Sequence, residues 1–295
     1  MRAMTGHSTD RAIAQRLRRL LARASAAYRP LHVDGQAAGW ITPTRCRRLA
    51  DFADVFVVHD EAVTFTPALS TPAARSAALD RVTRELARDG ALSAWRDERY
   101  AVRPSLDGAP WFLLERAAAR YFGVHAWAVH ANGVVRDAHS THMWLARRSH
   151  TKAIDPGMLD NLVGGGVAAG MSPRAALVKE AWEEAGLPAP LAERAAVAGA
   201  LHVRRDTADG LQWETILAFD IAVPTDIIPV NQDGEAIEHR RVSVAEAGRL
   251  IALDTGPDQV TPEASLVVLD ALLRLGALDA HGEAAAVVTM LAAAP

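Results

Sequence analysis

Residues 161–170 read NLVGGGVAAG, and the four glycines in those ten positions constrain the middle of the chain tightly. Glycine lets a backbone take positive φ and lets another group approach it closely. The run leads into Ser172-Pro173, a natural N-cap with proline at the first helical position, and the helical pattern stops at Gly186 and Pro188. The expected local structure is a glycine loop feeding a helix N-terminus, which is a ready anion site. Gly164, Gly166 and Ala169 nearly fit a dinucleotide fingerprint, but no unbroken βαβ unit is evident around them.

The helix after the glycines contains LVKEAWEEAGLP, with Glu180, Glu183 and Glu184 close together. With Glu180 at zero and ~100° per residue, Glu183 falls near −60° and Glu184 near +40°. The three carboxylates are thus expected to form one acidic row, with Val178, Ala181, Trp182 and Ala185 buried on the other side. A solvated face is the ordinary home for such a run. Local energetics oppose the arrangement here, because like charges three and four apart cost a few tenths of a kcal/mol each. The helix dipole also disfavours anions near the C-terminal end. A divalent cation reverses that balance. Carboxylate oxygens suit Mg²⁺ or Mn²⁺, which complete their shells with water and substrate phosphate.

The rest of the chain reads as α+β structure. Residues 1–120 form an expected N-terminal α+β extension. It has a hairpin at Asp34-Gly35, strands near 55–58 and 63–65, and helices over 71–89 and 114–121. The N-terminus places Ile13, Leu17, Leu20 and Leu21 at helical spacing. A second unit is expected over 121–255. It opens with a strand over 125–130 and a hairpin at Asn132-Gly133, the strongest turn dipeptide in the sequence. Further strands are expected at 143–147, 201–204 and 211–221, with a helix at 244–251. Residues 256–295 carry two more helical patterns, expected to pack on the second unit. Strands and helices in this order suggest a sheet between helix layers.

Half of the residues are hydrophobic and about a quarter charged, which is globular composition. A net charge of −3 gives no bulk electrostatic reason to expect nucleic acid. No apolar run approaches the ~18 residues that span a bilayer, so no membrane partner is expected. Cys46 is the one cysteine, so no intrachain disulfide can form. That fits a reducing, cytoplasmic setting.

Taken together, the loop and helix resemble the Nudix hydrolases, whose signature is G-x5-E-x7-R-E-U-x-E-E-x-G-U, U being a bulky aliphatic. Laid on this chain it runs from Gly165 to Leu187. Gly165, Glu180, Glu183, Glu184, Gly186 and Leu187 match at the required spacing. Met171 stands for the first glutamate, Lys179 for the arginine and Ala181 for the first aliphatic. Two of these departures look coupled, because Met171 cannot pair with a cation and lysine then suffices. The loop is then expected to be held by packing. Outside the signature, RPLHVDGQAAGWITP, SAWRDERYAV, ERAAARYFGVHAWAVHANG and LARRSHTKAIDPGMLDNLVGGGVAAG resemble one subgroup. It includes the Nudix half of fungal thiamine pyrophosphokinase fusions and related plant proteins.

The resemblance implies an α/β/α sandwich with a mixed sheet, preceded by the small α+β domain, and Mg²⁺- or Mn²⁺-dependent hydrolysis of a small-molecule diphosphate. By the subgroup, the substrate would be thiamine diphosphate or its oxidised forms. The alternatives are a nucleoside diphosphate derivative, such as a nucleotide sugar or ADP-ribose, and a non-catalytic binder. Glu180, Glu183 and Glu184 would be metal ligands, with Glu183 or Glu184 doubling as base, and the Gly165 carbonyl a further ligand. Glu235 and Glu238, in QDGEAIEHRRVSV, are candidates for the base or another metal ligand, Glu238 as a catalytic group and Glu235 also as a substrate contact. Arg147, Arg148 and Lys152 are candidate phosphate contacts. The N-terminal extension would shape the substrate pocket or form a homodimer interface.

Overall fold

The computed structural model describes residues 6–22 and 27–293. The chain starts with helix α1 (Gly6–Leu21), whose Ile13, Ala14 and Leu17 are fully buried. Strands β1 (Arg29–Val33) and β2 (Gln36–Ile41) follow as a hairpin. Its two turn residues, Asp34 at φ 50° and Gly35 at φ 80°, have the left-handed geometry that this sequence signal demands. Helix α2 (Pro43–Leu49) is capped by Thr42. Strands β3 (Phe56–Val58) and β4 (Val63–Phe65) complete a sheet of order β2-β1-β4-β3. Helix α3 (Pro72–Arg88) is capped by the Thr71 hydroxyl, which accepts from the Ala74 amide. Strands β5 (Arg99–Val102) and β6 (Phe112–Glu115) form a separate hairpin.

The helix expected over 114–121 is mostly something else. Leu114 pairs with Tyr100 in the β5–β6 ladder and is buried in the N-terminal core. Only the short α4 (Ala119–Phe122), stopped by Gly123 at φ 56°, is α-helical.

The second unit is built on β7 (His125–Arg136), β8 (Thr141–Arg148), β9 (Leu159–Asn161), β10 (Val163–Gly166), β11 (Ala196–Thr207), β12 (Gly210–Ala222) and β13 (Ala236–Ser243). Among the described residues these make one mixed sheet of order β11-β12-β7-β8-β13, with β10 on β7 and β9 on β8. Strands β12 and β7 run parallel, and the other pairs are antiparallel. One face is covered by α5 (Pro173–Ala185) and α6 (Ala189–Glu193). The other is covered by α7 (Val244–Ile251), α8 (Pro262–Arg274) and α9 (Glu283–Ala292), joined there by α1. The chain is therefore an α+β N-terminal domain followed by a mixed α/β domain.

Two further features depart from the sequence reading. Asn132-Gly133 is no turn: β7 continues through it, and the reversal comes at residues 137–140. Asn132 is 1% exposed and ties into a buried chain, donating to Asp220 at 3.1 Å and accepting from Asn161 at 3.1 Å. A Cβ at position 133 would run into Leu162, so the glycine serves close packing. The second departure is α1, which packs with the helices of the second unit instead of the N-terminal extension. Its Arg16, 1% exposed, explains the attachment. The guanidinium donates to the Ile251 carbonyl at 2.9 Å, the Val260 carbonyl at 2.6 Å and the Ser265 hydroxyl at 2.8 Å.

Arg16→Ala would remove three buried charge-assisted hydrogen bonds and leave a cavity, while the Ser265 hydroxyl keeps its bonds to the Thr261 and Val260 carbonyls, at a cost of about 3 kcal/mol. Urea denaturation should show this as a lowered midpoint, with the exposed-site control Arg11→Ala unchanged. Equal midpoints for the two variants would contradict the anchoring role.

Candidate active site

Helix α5 starts where the Ser172 hydroxyl accepts from the Ala175 amide and ends at Gly186, φ 62°. Its buried residues are Ala176, Leu177, Glu180, Ala181 and Ala185, while Trp182 is 55% exposed. Ala181 and Ala185 are buried as expected, but Glu180 joins them on the inward face and the tryptophan, expected inside, is outside. The cause is the glycine run, which forms strand β10 where a loop was expected. The three glycines of that strand leave room for carboxylates beneath the helix. A Cβ on Gly165 would stand 2.5 Å from the carboxyl carbon of Glu180. Met171 packs against the core beneath the helix, so packing does hold the segment before α5.

The Glu184 carboxylate accepts from the Gly164 amide at 2.7 Å. Burial pushes its pKa well above the carboxylate range, Gly164 opposes this, and the Glu180 charge adds to the rise. Glu180 is also raised by burial, against the pull of Lys179. The Lys179 ammonium lies 3.1 Å from Glu180 and 2.5 Å from Glu183, between the two carboxylates. Among the described residues, no three His, Cys, Asp or Glu side chains converge in a metal-holding group. The donor set nevertheless fits a hard divalent cation. Glu180 and Glu184, both raised by desolvation, lie one helical turn apart on α5 against the glycines of β10, and the partly exposed Lys179 pairs with Glu180 and Glu183 but not with Glu184.

The chain after β12 closes the site. The Val230 amide donates to the Ala185 carbonyl at 2.9 Å and the Gln232 amide to the Glu183 carbonyl at 2.8 Å, pinning this segment along the end of α5. Glu235 then reaches a salt bridge with Lys152 and a 3.2 Å contact with Arg96. Despite the cost of desolvation, those cations hold its carboxyl below the usual range. Arg148 points to the same side and pairs with Asp160 at 2.7 Å.

Arg147 and Glu238 are elsewhere. They pair with each other at 2.6 Å, and Arg147 also holds Asp258 at 2.6 Å and the Pro257 carbonyl at 2.7 Å. Successive strand residues point to opposite faces, so Arg147 and Arg148 cannot both serve one site. The same alternation was available in the sequence.

A cleft of about 210 Å³ lies between the two domains. One wall carries Gly164, Gly165, Glu180, Arg148, Lys152 and Glu235. Arg96, Tyr100, Arg116 and Arg120 of the N-terminal domain face it, and Leu211, Gln212, Trp213 and Glu214 line a further part. The Tyr100 hydroxyl packs where a Cβ on Gly166 would be. Sequence reasoning placed none of these N-terminal residues at the site. They sit in the quoted stretches SAWRDERYAV and ERAAARYFG, which carry no spacing rule to single them out.

Residues 126–264 match the NUDIX domain family, and residues 11–126 match a domain of unknown function, DUF4743. The chain is 34% identical over 249 residues to Nudix hydrolase 24, chloroplastic, of Arabidopsis thaliana, covering 84% of this chain and 67% of that protein. Nudix hydrolase 20, chloroplastic, of the same plant is 34% identical over 256 residues, with 84% and 68% covered. Among solved structures, the NUDIX domain of Shewanella oneidensis NrtR complexed with ADP ribose is 13% identical, with a TM-score of 0.41. That match covers 52% of this chain and 90% of that one.

The fold and the acidic helix over a glycine strand define a hydrolase of diphosphate linkages. The chain belongs to the Nudix hydrolase family, whose members generally use divalent metal ions.

Gly165→Ala tests the geometry directly, because the added methyl must displace the Glu180 carboxylate. Turnover should fall about a hundredfold, the scale of an ångström-sized misplacement, with a cooperative thermal transition retained. Activity within about threefold of the parent would show that Glu180 is free to move without consequence.

Proposed function

We propose that this enzyme hydrolyses the diphosphate linkage of a small organic molecule carrying a heteroaromatic ring, held between its two domains. The observation carrying this reading is the cleft itself. Carboxylates and cations line it beside β10, and Trp213, Gln212 and Glu214 line another part of the same space. Rings stack on aromatic and apolar surface, and amide and carboxylate groups read their polar edges.

Glu180, Glu183 and Glu184, with the Gly165 carbonyl, would hold Mg²⁺ or Mn²⁺. The ion, when bound, supplies charge neutralisation at phosphate oxygens and acidifies coordinated water. Lys152 and Arg148 bind phosphoryl oxygens, and Glu235 occupies Lys152 and Arg96 until substrate competes for them. Glu184 is the favoured base. The Gly164 amide fixes its carboxylate, and its buried setting raises its affinity for a proton taken from the attacking water.

Two ring systems meet the description. Nucleoside diphosphate derivatives, such as ADP-ribose or a nucleotide sugar, offer a base edge and ribose hydroxyls to Gln212 and Glu214. Thiamine diphosphate and its oxidised forms are supported by the subgroup resemblance and by one observation. Glu214 accepts from Gln212 Nε2 at 3.0 Å and has no cationic partner within salt-bridge distance among the described residues, which suits a positively charged thiazolium.

The full chain should release the monophosphate product from one of these classes in the presence of Mg²⁺. Glu184→Gln should lower kcat by about a hundredfold or more, the scale of removing a general base. Preference for ADP-ribose would discard the thiamine arm, and preference for thiamine diphosphate the nucleotide arm. Binding without turnover across the whole panel would refute the enzyme reading.

A further inference from the structure

The N-terminal domain enters the cleft through two arginines near its end. Arg116 donates to Glu98 at 2.7 Å, and its guanidinium lies 5.8 Å from the centre of the Tyr100 ring. Arg120, on α4, lines the same space and is only partly exposed. Among the described residues its guanidinium has no hydrogen-bond or ion-pair partner. Its main-chain carbonyl, by contrast, is fixed by Arg45 at 3.3 Å, so the residue is well anchored at its base.

The Arg120 charge is felt inside the cleft. Burial raises the Tyr100 hydroxyl to about 12, and Arg116 and Arg120 both pull against it. Burial likewise raises Glu263, which Arg205 and then Arg120 hold down to about 2. The Arg120 charge thus acts on Tyr100 and on Glu263 at the start of α8. Several other charged groups around the cleft are matched: Glu180 with Lys179, Glu235 with Lys152 and Arg96, Arg148 with Asp160. A partly desolvated guanidinium with no hydrogen-bonded partner leaves its donors unused, and it presents a planar fork suited to phosphoryl oxygens.

We propose that Arg120, with Arg116 beside it, forms an anion subsite by which the N-terminal domain grips a phosphoryl group of the substrate. The domain of unknown function is then the second half of the active site, and a Nudix domain alone lacks this grip. The inference rests on reading the cleft as a diphosphatase site.

The test uses the full chain with Mg²⁺ and imidodiphosphate, a diphosphate mimic with a P–N–P bridge, followed by calorimetry. Arg120→Ala should weaken binding about tenfold or more, the scale of a charged hydrogen bond. KM for the preferred substrate of the panel should rise by a similar factor, with a smaller change in kcat. Arg120→Lys should recover part of the loss, and a cooperative melt for each variant separates this from misfolding. Arg116→Gln should weaken binding in the same direction and keeps the test open if Arg120→Ala does not fold. Unchanged affinity in a folded Arg120→Ala chain overturns the subsite while the active parent upholds the diphosphatase reading. A parent that neither binds the mimic nor turns over any panel substrate overturns both.

Discussion

The site depends on carboxylates buried against bare backbone. Glu180 is 9% exposed beneath a helix whose underlying strand, β10, offers three successive glycines. Any side chain at Gly165 would overlap that carboxylate, and the Gly164 amide is a hydrogen-bond donor to Glu184. Burying two carboxylates this close together is unfavourable unless cations balance them. In this structure Lys179 balances Glu180 alone of the two, from the solvent side of α5, and the charge of Lys152 acts on Glu184. A divalent ion held at these carboxylates, as proposed, would relieve that imbalance.

Everything around α5 holds that geometry. The hydrophobic cluster of Leu177, Ala181, Val163 and Leu187 clamps the helix to the sheet. The segment from Val230 to Gln232 is hydrogen-bonded to its C-terminal carbonyls, and His239 Nε2 donates to the Glu184 carbonyl at 3.0 Å. On the far face, Arg16 binds α1 to the segments around α7 and α8. The N-terminal domain is attached by equally specific contacts. The Trp40 amide donates to the Gly123 carbonyl at 3.1 Å, the Ala169 amide to the Arg99 carbonyl at 2.8 Å, and Arg96 reaches Glu235. The cleft is a consequence of that docking, since neither domain alone encloses it.

Local signals were legible in the sequence where local chemistry decides the structure. The Asp34-Gly35 turn, the Ser172 cap with the Gly186 stop, and helix 244–251 all appear as their residues dictate. Two features were illegible locally because tertiary packing overrides them, and a third was legible but missed. Asn132-Gly133 has turn chemistry, yet the asparagine satisfies a buried network and the glycine admits Leu162. The phase of α5 was misjudged because charge suggested an outward face, whereas glycines on a neighbouring strand let the charges turn inward. Arg147 and Arg148 looked like one basic patch, yet strand alternation sends them to different faces. The arginines of the N-terminal wall carry no local signal, since only domain docking brings them to the carboxylates.

The account stands on the buried carboxylates being a cation site, and counting bound Mn²⁺ by electron paramagnetic resonance addresses that without any substrate. The parent chain should bind at least one Mn²⁺ that Mg²⁺ competes away, and a Glu180→Gln, Glu184→Gln double variant that still melts cooperatively should lose it. Identical Mn²⁺ titrations for the two proteins would mean that these carboxylates are buried for some other reason.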